Sequence, residues 1–341
     1  MCVQRSLVRC LWPGKSVLRP LTSPNITSHT TTMQYRLLGR TQLKVSVIGF
    51  GASPLGNVFG ETDPKEGERA VHMAIDEGIN FFDVSPYYGL TLAEERLGKA
   101  LQGYRGSIVL STKCGRYGTG EFDFSARRVF ASIDESLRRL RTDYVDLLQA
   151  HDIEFGDMKQ IIEETVPAMR QLQQQGKVRY IGVSGYPLTV LMRVASSISV
   201  DTILSYCRYN LLADDLDADL VPFAEAHGIG LINASPLHMG VLTNQGAPAW
   251  HPAASEVYRA AKEAAEFCRL HDADISELAL RFCFDYMRVA TTLVGMATQD
   301  RVSKSLRAFQ TSADPQMVRQ VRAILAPVFN QFWPSGRKEN Q

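Results

Sequence analysis

The chain has 341 residues, with 37 basic and 36 acidic side chains and a formal net charge of +1. A balance this even argues against nucleic acid and anionic membrane surfaces as partners, because both select strongly basic proteins. Hydrophobic residues make up 45% and charged residues 21%, enough apolar material for one large core, and no continuous apolar run reaches the roughly 18 residues that a membrane helix needs.

Residues 1–33 carry Arg5, Arg9, Lys15 and Arg19 and no acid, which leaves about −3 on the remainder. The stretch is rich in Ser and Thr. It reads as a disordered tail, as an organelle transit peptide, or as an extension ahead of a start at Met33. A cytoplasmic location is expected, with mitochondrion or plastid as the alternative if the leader targets. Next, YRLLG and LKVSV flank Arg40 and Thr41 as a β-hairpin. From residue 45 onward, short apolar runs alternate with helical periodicity. VSVIGFG (45–51) reads as one buried strand, followed by a helix in which Ala70, Met73, Ala74 and Ile79 share a face. NFFDVS, IVLSTKC, YVDLLQAHD, VRYIGVSG, TILSYCRYN, IGLINASP and ATTLVGM are seven further strands, with helices between them, one over about 157–175. QDRVSKSLRAF closes the series, and the final SGRKENQ reads as a frayed polar tail.

Eight strand–helix units over about 270 residues predict a (β/α)8 TIM barrel in the α/β class, with the hairpin closing its bottom. The domain plan is a leader (1–33), one barrel domain (34–330) and a polar tail (331–341). A doubly wound sheet is the competitor, but it needs a Gly-rich turn after its first strand. Here Gly49 and Gly51 are followed by Pro54 where the third glycine belongs.

Barrel enzymes carry their chemistry at the C-terminal ends of the strands. Asp83 ends the second strand and Tyr88 follows on its loop; Lys113 ends the third strand and His151 the fourth. Carbonyl reduction, or the reverse oxidation, needs a proton exchanged at oxygen while hydride moves at carbon. A phenol is a weak acid near neutrality, and a neighbouring ammonium lowers its pKa. Lys113 is placed to do this for Tyr88, Asp83 to pair Lys113, and His151 to orient the substrate oxygen. Tyr87 is a rival for the acid–base position. The six cysteines (Cys2, Cys10, Cys114, Cys207, Cys268 and Cys283) show no C-x-x-C or zinc spacing, and a reducing compartment fits them. No metal site is expected.

FFDVSPYYG, LSTKCG and LQAHD resemble the corresponding strand ends of the aldo-keto reductases. The resemblance runs from Tyr35 to Phe309. Segments such as GFGASPLGNVFG, YVDLLQAHDIEFG and PAWHPA are similar to the L-galactose dehydrogenase branch. The resemblance implies a nicotinamide cofactor, NAD with NADP as the alternative. Ser184 and Gly185 then fall at its carboxamide, and Tyr206 where many members have Gln. Ser235, Leu237 and Gly240 fall at the pyrophosphate, and Gly295, Met296, Thr298 and Arg301 around the adenosine. Lys304 and Ser305 stand where the family has Glu-Asn, so Arg301 and Lys304 are candidates to hold a 2′-phosphate. The implied activity is oxidation of an L-aldose such as L-galactose to its lactone, by a monomer acting on a small molecule. An NADPH-dependent aldehyde or uronate reductase is one alternative. A nucleotide-binding regulatory subunit is another. Loops near 57–59, Tyr117 and Trp250 are expected to shape the pocket.

Overall fold

Eight of the short apolar runs pair side by side as parallel strands and close on themselves. The computed structural model describes residues 32–311 and 313–341. In chain order the barrel strands are β3 (Ile48–Gly51), β4 (Phe81–Asp83), β5 (Val109–Cys114), β6 (Val145–Ala150), β7 (Val178–Gly185), β8 (Thr202–Tyr206), β9 (Gly230–Ala234) and β10 (Thr291–Gly295). Neighbours follow chain order, and β10 pairs with both β9 and β3 to seal the ring. This is the (β/α)8 barrel. β1 (Tyr35–Leu37) and β2 (Lys44–Ser46) form the antiparallel hairpin outside it. The hairpin sits at the N-terminal end of the barrel, where Arg40 N–H donates to the Gly228 carbonyl at 2.9 Å. Gly39 lies so close to the first residue of β9 that an added Cβ would stand 2.2 Å from the Gly230 nitrogen.

Side chains alternate between two cores, as a strand period of two requires. Phe81, Val109, Leu147, Leu204, Ile232 and Leu293 point into the lower barrel with Leu38 and Val45 of the hairpin. Their neighbours Phe82, Leu110, Leu148 and Ile203 face the helices. A barrel interior filled in this way is a packed plug, which confines the chemistry to its upper rim.

Three expectations change. The run 45–51 is two strands. Val47 N–H still bonds the hairpin side at Gln34, while its carbonyl accepts from Thr292 in the barrel, and the Ser46 hydroxyl donates to the Ile48 carbonyl across the bend. The helix over 158–174 contains a π turn at Ile161–Thr165, directly before Pro167, and a second π turn at Leu216–Leu220 precedes Pro222. A proline ring collides with the carbonyl four residues back, and a widened turn relieves that collision. The tail is not frayed. A further helix, Pro315–Leu325, buries Val321 and Leu325 against Ala261 and Ala264. Beyond it the chain is anchored near its end: Asn340 Nδ2 donates to the carbonyls of Glu154 (2.8 Å) and Gly156 (2.9 Å). The leader lies outside the described residues, apart from Thr32 and Met33. No helix among the described residues is long and apolar enough to cross a membrane.

Candidate active site

Alternation along the first strands delivers one polar group after another to the upper interior. In β4 the inward residues are Phe81 and Asp83. In β5 they are Val109, Ser111 and Lys113. In β6 and just past it they are Leu147, Gln149 and His151. The register sets Asp83 beside Ser111 and Lys113 beside Gln149. Asp83 and Lys113 are both buried and form an ion pair. Lys113 Nζ also donates to the Val84 carbonyl at 3.0 Å. The second carboxylate oxygen of Asp83 accepts from Ser111 Oγ at 2.8 Å and from Gln149 Nε2 at 3.2 Å. A buried pair persists only when its remaining valences are filled, and Ser111 and Gln149 fill them.

Tyr88 arrives on the loop after β4. Gly89 has φ +63°, and a Cβ there would meet the Gly56 carbonyl at 2.2 Å, so this loop is clamped against the turn after β3. The Tyr88 ring centroid lies 5.2 Å from Lys113 Nζ and 5.7 Å from the His151 ring, which stands edge-on to it. Tyr87 is engaged elsewhere: the Arg116 guanidinium covers its ring at 3.8 Å. The four residues read from the strand ends therefore meet, with Tyr88 rather than Tyr87 nearest the lysine. Lys113 lies against the face of the Tyr88 ring and shares its charge with Asp83. Burial, then the charges of Asp83 and Asp152, push the phenol well above its usual range. Lys113 spends its charge on Asp83, so Tyr88 stays protonated as a potential acid.

His151 is buried, and burial drops its pKa to about 3, leaving a neutral ring. Ser85 Oγ lies 3.0 Å from His151 Nδ1 and itself accepts from Tyr87 N–H at 3.1 Å. The hydroxyl proton is then available to Nδ1, which places the imidazole proton on Nε2. Nε2 stands 3.7 Å from Asp152 Oδ2, and the same carboxylate oxygen is ion-paired to Arg116. Asp152 holds a left-handed backbone, φ +52°.

A cavity of about 370 Å³ opens beside this cluster, lined by Arg116, Phe155, Tyr206, Met239, Trp250 and Trp333 among others. The tail builds one wall. Trp333 stacks on Tyr186 at 4.3 Å and meets His238 and His251 edge-on. Among the loops expected to shape the pocket, Trp250 lines it and Phe59 packs on Trp250 at 5.7 Å. Asn57 turns instead to Arg96, and Tyr117 Oη accepts from Gly115 N–H.

The expected cofactor residues are spread around the rim from β7 to the last barrel helix. Ser184 and Gly185 end β7, and Tyr206 ends β8. Ser184 Oγ has only a long 3.4 Å bond to the Ala150 carbonyl. After β9 the backbone turns left-handed at Ser235, His238, Met239 and Gly240, with Leu237 between them. Such costly backbone collects where a loop is shaped around a ligand. Gly295 and Gly51 pair at the ends of β10 and β3 with no side chain between. These small and polar groups fit a dinucleotide along the rim. At the helix Gln299–Gln310, Thr298 is the cap and accepts from Arg301 N–H. Arg301 is exposed. Lys304 pairs with Asp300 at 2.8 Å. Met296 and Ser305 are buried, and the Ser305 hydroxyl donates to the Arg301 carbonyl at 2.9 Å. No group of side chains among the described residues could hold a metal ion.

Sequence reasoning missed Ser85, Ser111, Gln149, Arg116, Asp152 and the tail. Ser111 and Gln149 carry a usable signal, since each lies two residues before a strand-end residue already singled out.

The aldo/keto reductase family model matches residues 47–326. The chain is 47% identical to L-galactose dehydrogenase of Arabidopsis thaliana, over 91% of this chain and all of that one. It is 29% identical to D-arabinose 1-dehydrogenase of Saccharomyces cerevisiae, over 86% of this chain and 94% of that one. The solved structure of an aldo-keto reductase from Bacillus halodurans in its holo form superposes with a TM-score of 0.73 at 30% identity, covering 88% of this chain and 99% of that one.

Proposed function

The chain belongs to the aldo/keto reductase family, and from that premise we propose that it oxidises an L-aldose such as L-galactose at C1 to the lactone, with NAD as its cofactor. The observation that carries this reading is the meeting of Asp83, Tyr88, Lys113 and His151 beside an aromatic-walled cavity. The relatives named for sugar oxidation support the substrate class.

When bound, the nicotinamide supplies the hydride acceptor. The chain's own residues handle the oxygen. His151, neutral and carrying its proton on Nε2, holds the C1 oxygen by a hydrogen bond, and Ser85 keeps the ring in that tautomer. Tyr88 exchanges the proton with that oxygen. In reduction it is the proton donor, present in its neutral form. In oxidation it must act as a phenolate, and Lys113, 5.2 Å from the ring centroid, is the nearby cation that would stabilise it. Asp83, Ser111 and Gln149 keep Lys113 charged and in place.

Ser184 would hold the nicotinamide carboxamide and Tyr206 would stack on its ring, with the loop 235–240 along the pyrophosphate. Two acids at the last barrel helix favour NAD over NADP. Glu66 accepts from Gln299 N–H at 2.8 Å, and Asp300 already engages Lys304. A 2′-phosphate would have to displace or share space with both carboxylates.

The test is turnover of L-galactose by the purified full chain with NAD, followed as reduced nicotinamide. Absence of turnover with any L-aldose would refute the reading. The Tyr88→Phe variant should lose at least about 10²-fold in kcat, the usual range for removing an acid–base group. Near-normal activity would take Tyr88 out of that role.

A further inference from the structure

The cavity beside the reaction centre has one charged side chain in its lining, Arg116, and that charge is cancelled. Arg116 NH1 is ion-paired to Asp152, and the guanidinium face lies on the Tyr87 ring at 3.8 Å. Its Nε is buried and has no hydrogen-bond partner in the protein. Arg116 therefore lines the cavity while contributing no net charge with its partner. The rest of the wall is mostly aromatic and apolar, with Phe155, Tyr206, Met239, Trp250 and Trp333 in it, and the tail adds Ser335. Flat aromatic faces of this kind suit the C–H faces of a sugar ring, and a few convergent polar groups then fix its orientation.

Asp152 also ties this wall to the chemistry. Its Oδ2 pairs with Arg116 and lies 3.7 Å from His151 Nε2. A free arginine here would invite a carboxylate or a phosphate, the anions that guanidinium recognises best. A paired one does not. An anionic substrate would give up part of its hydration here with no net positive charge to offset that loss, because Asp152 already neutralises Arg116. The left-handed backbone at Asp152 is a second sign of constraint, since a non-glycine residue held there persists only when its surroundings demand it.

We propose that the Arg116–Asp152 pair is the specificity element of this site: it hydrogen-bonds uncharged polyhydroxylated ring sugars and rejects sugar acids and sugar phosphates. The proposal rests on the aldose-oxidising reading and narrows it to neutral substrates. It also separates this chain from a uronate reductase, which would need an uncompensated cation in this position.

The test compares L-galactose with L-galacturonate, the uronate of the same ring configuration. Wild type should favour the neutral sugar by about 100-fold or more in kcat/KM, the scale of burying an anion without a counter-charge. Asp152→Asn removes the carboxylate charge, and asparagine adopts the left-handed backbone readily. This variant should move the ratio toward the uronate by at least about tenfold, the worth of one unpaired charge-assisted hydrogen bond. Arg116→Gln should raise KM for galactose and gain nothing on the uronate. A merely structural role for the pair would depress both substrates together and leave the ratio fixed, and that result would overturn the proposal. Calorimetric titration of the NADH-saturated protein with each sugar adds a readout that needs no turnover. If no aldose is turned over yet the neutral sugar alone binds, the oxidation reading fails and the pocket assignment stands. If both bind equally, the pocket assignment fails whatever the activity.

Discussion

Glu154 is the most informative single position for stability, because it joins the rim of the barrel to the end of the chain. It sits in the turn after β6, wholly buried. Its Oε1 accepts from Tyr186 N–H at 3.1 Å and from the Ser335 hydroxyl at 3.0 Å, while Oε2 has no partner. Its backbone carbonyl accepts from Arg337 N–H and Asn340 Nδ2. Gly336 crosses it with φ +87°, so closely that a Cβ would stand 2.4 Å from the Glu154 oxygen. Burial, reinforced by the charge of Asp152, raises the carboxyl from 4.5 to about 8. Between those two values the folded chain keeps a proton that the unfolded chain has released. Stability therefore falls as pH rises through this window, by about 1.4 kcal/mol per pH unit. From about pH 5.5 to about pH 7.5 the loss is about 2.7 kcal/mol. A unit of this size unfolds with an entropy of roughly 0.65 kcal/mol per degree, so the loss corresponds to about 4 °C in Tm. Glu154→Gln cannot titrate. Thermal unfolding of both proteins by circular dichroism at the two pH values should show the wild type losing about 4 °C relative to the variant. Curves that shift in parallel would refute a buried, protonated Glu154. The same segment supplies Trp333, Pro334, Ser335 and Gly336 to the cavity wall. Above about pH 8 the wild type should accordingly show a larger rise in KM for the sugar than the variant does, as the newly charged carboxylate strains the wall.

Two further outcomes follow from groups outside the reacting four. Ser85→Ala should lower kcat by about tenfold, as expected when a group that orients a general acid–base residue is removed, while leaving NADH affinity unchanged. Ser85→Thr should restore it. ¹⁵N NMR of His151 should report a mixture of tautomers in the alanine variant only, and an unchanged spectrum would remove Ser85 from its positioning role. Glu66→Gln should tighten NADP binding several-fold with little effect on NAD, since it removes an anion at a helix N-terminus where a phosphate is otherwise favoured. An unchanged preference measured by equilibrium binding would show that Glu66 plays no part in excluding the phosphate.

The strands and the four central residues are readable in the sequence for a single reason. Both follow from short-range periodicity combined with a rule about where barrels place their chemistry. An alternating strand that ends in Asp83, Lys113 or His151 can aim that residue only at the interior or at the helices, and a charge ending an apolar run is costly unless it is used. The same logic extends to Ser111 and Gln149, two residues earlier on the same faces. It stops at groups whose partners lie far along the chain. Arg116 finds Asp152 across 36 residues, and Ser335 finds Glu154 across 181. Neither pairing has a period or a spacing to announce it, and the tail's polarity points the wrong way: Ser335 and Asn340 are polar because they bond the buried turn at 153–156, not because they face water. The state of Tyr88 is hard to read for a related reason. The order of residues places Lys113 between Asp83 and Tyr88, but the burial that raises the phenol's pKa depends on packing that no spacing announces.

That competition for Lys113 also shapes the reaction. A cation fully committed to the phenol would lower its pKa, easing both the release of its proton and its use as a phenolate base. Shared with Asp83, it leaves a neutral phenol that must lose its proton before it can accept one from a sugar. The ease of that proton loss depends on how Lys113 is held between Asp83 and Tyr88, and Ser111 and Gln149 hold the Asp83 carboxylate by its other oxygen. Residues that touch neither sugar nor cofactor thus bear on the proton transfer at Tyr88.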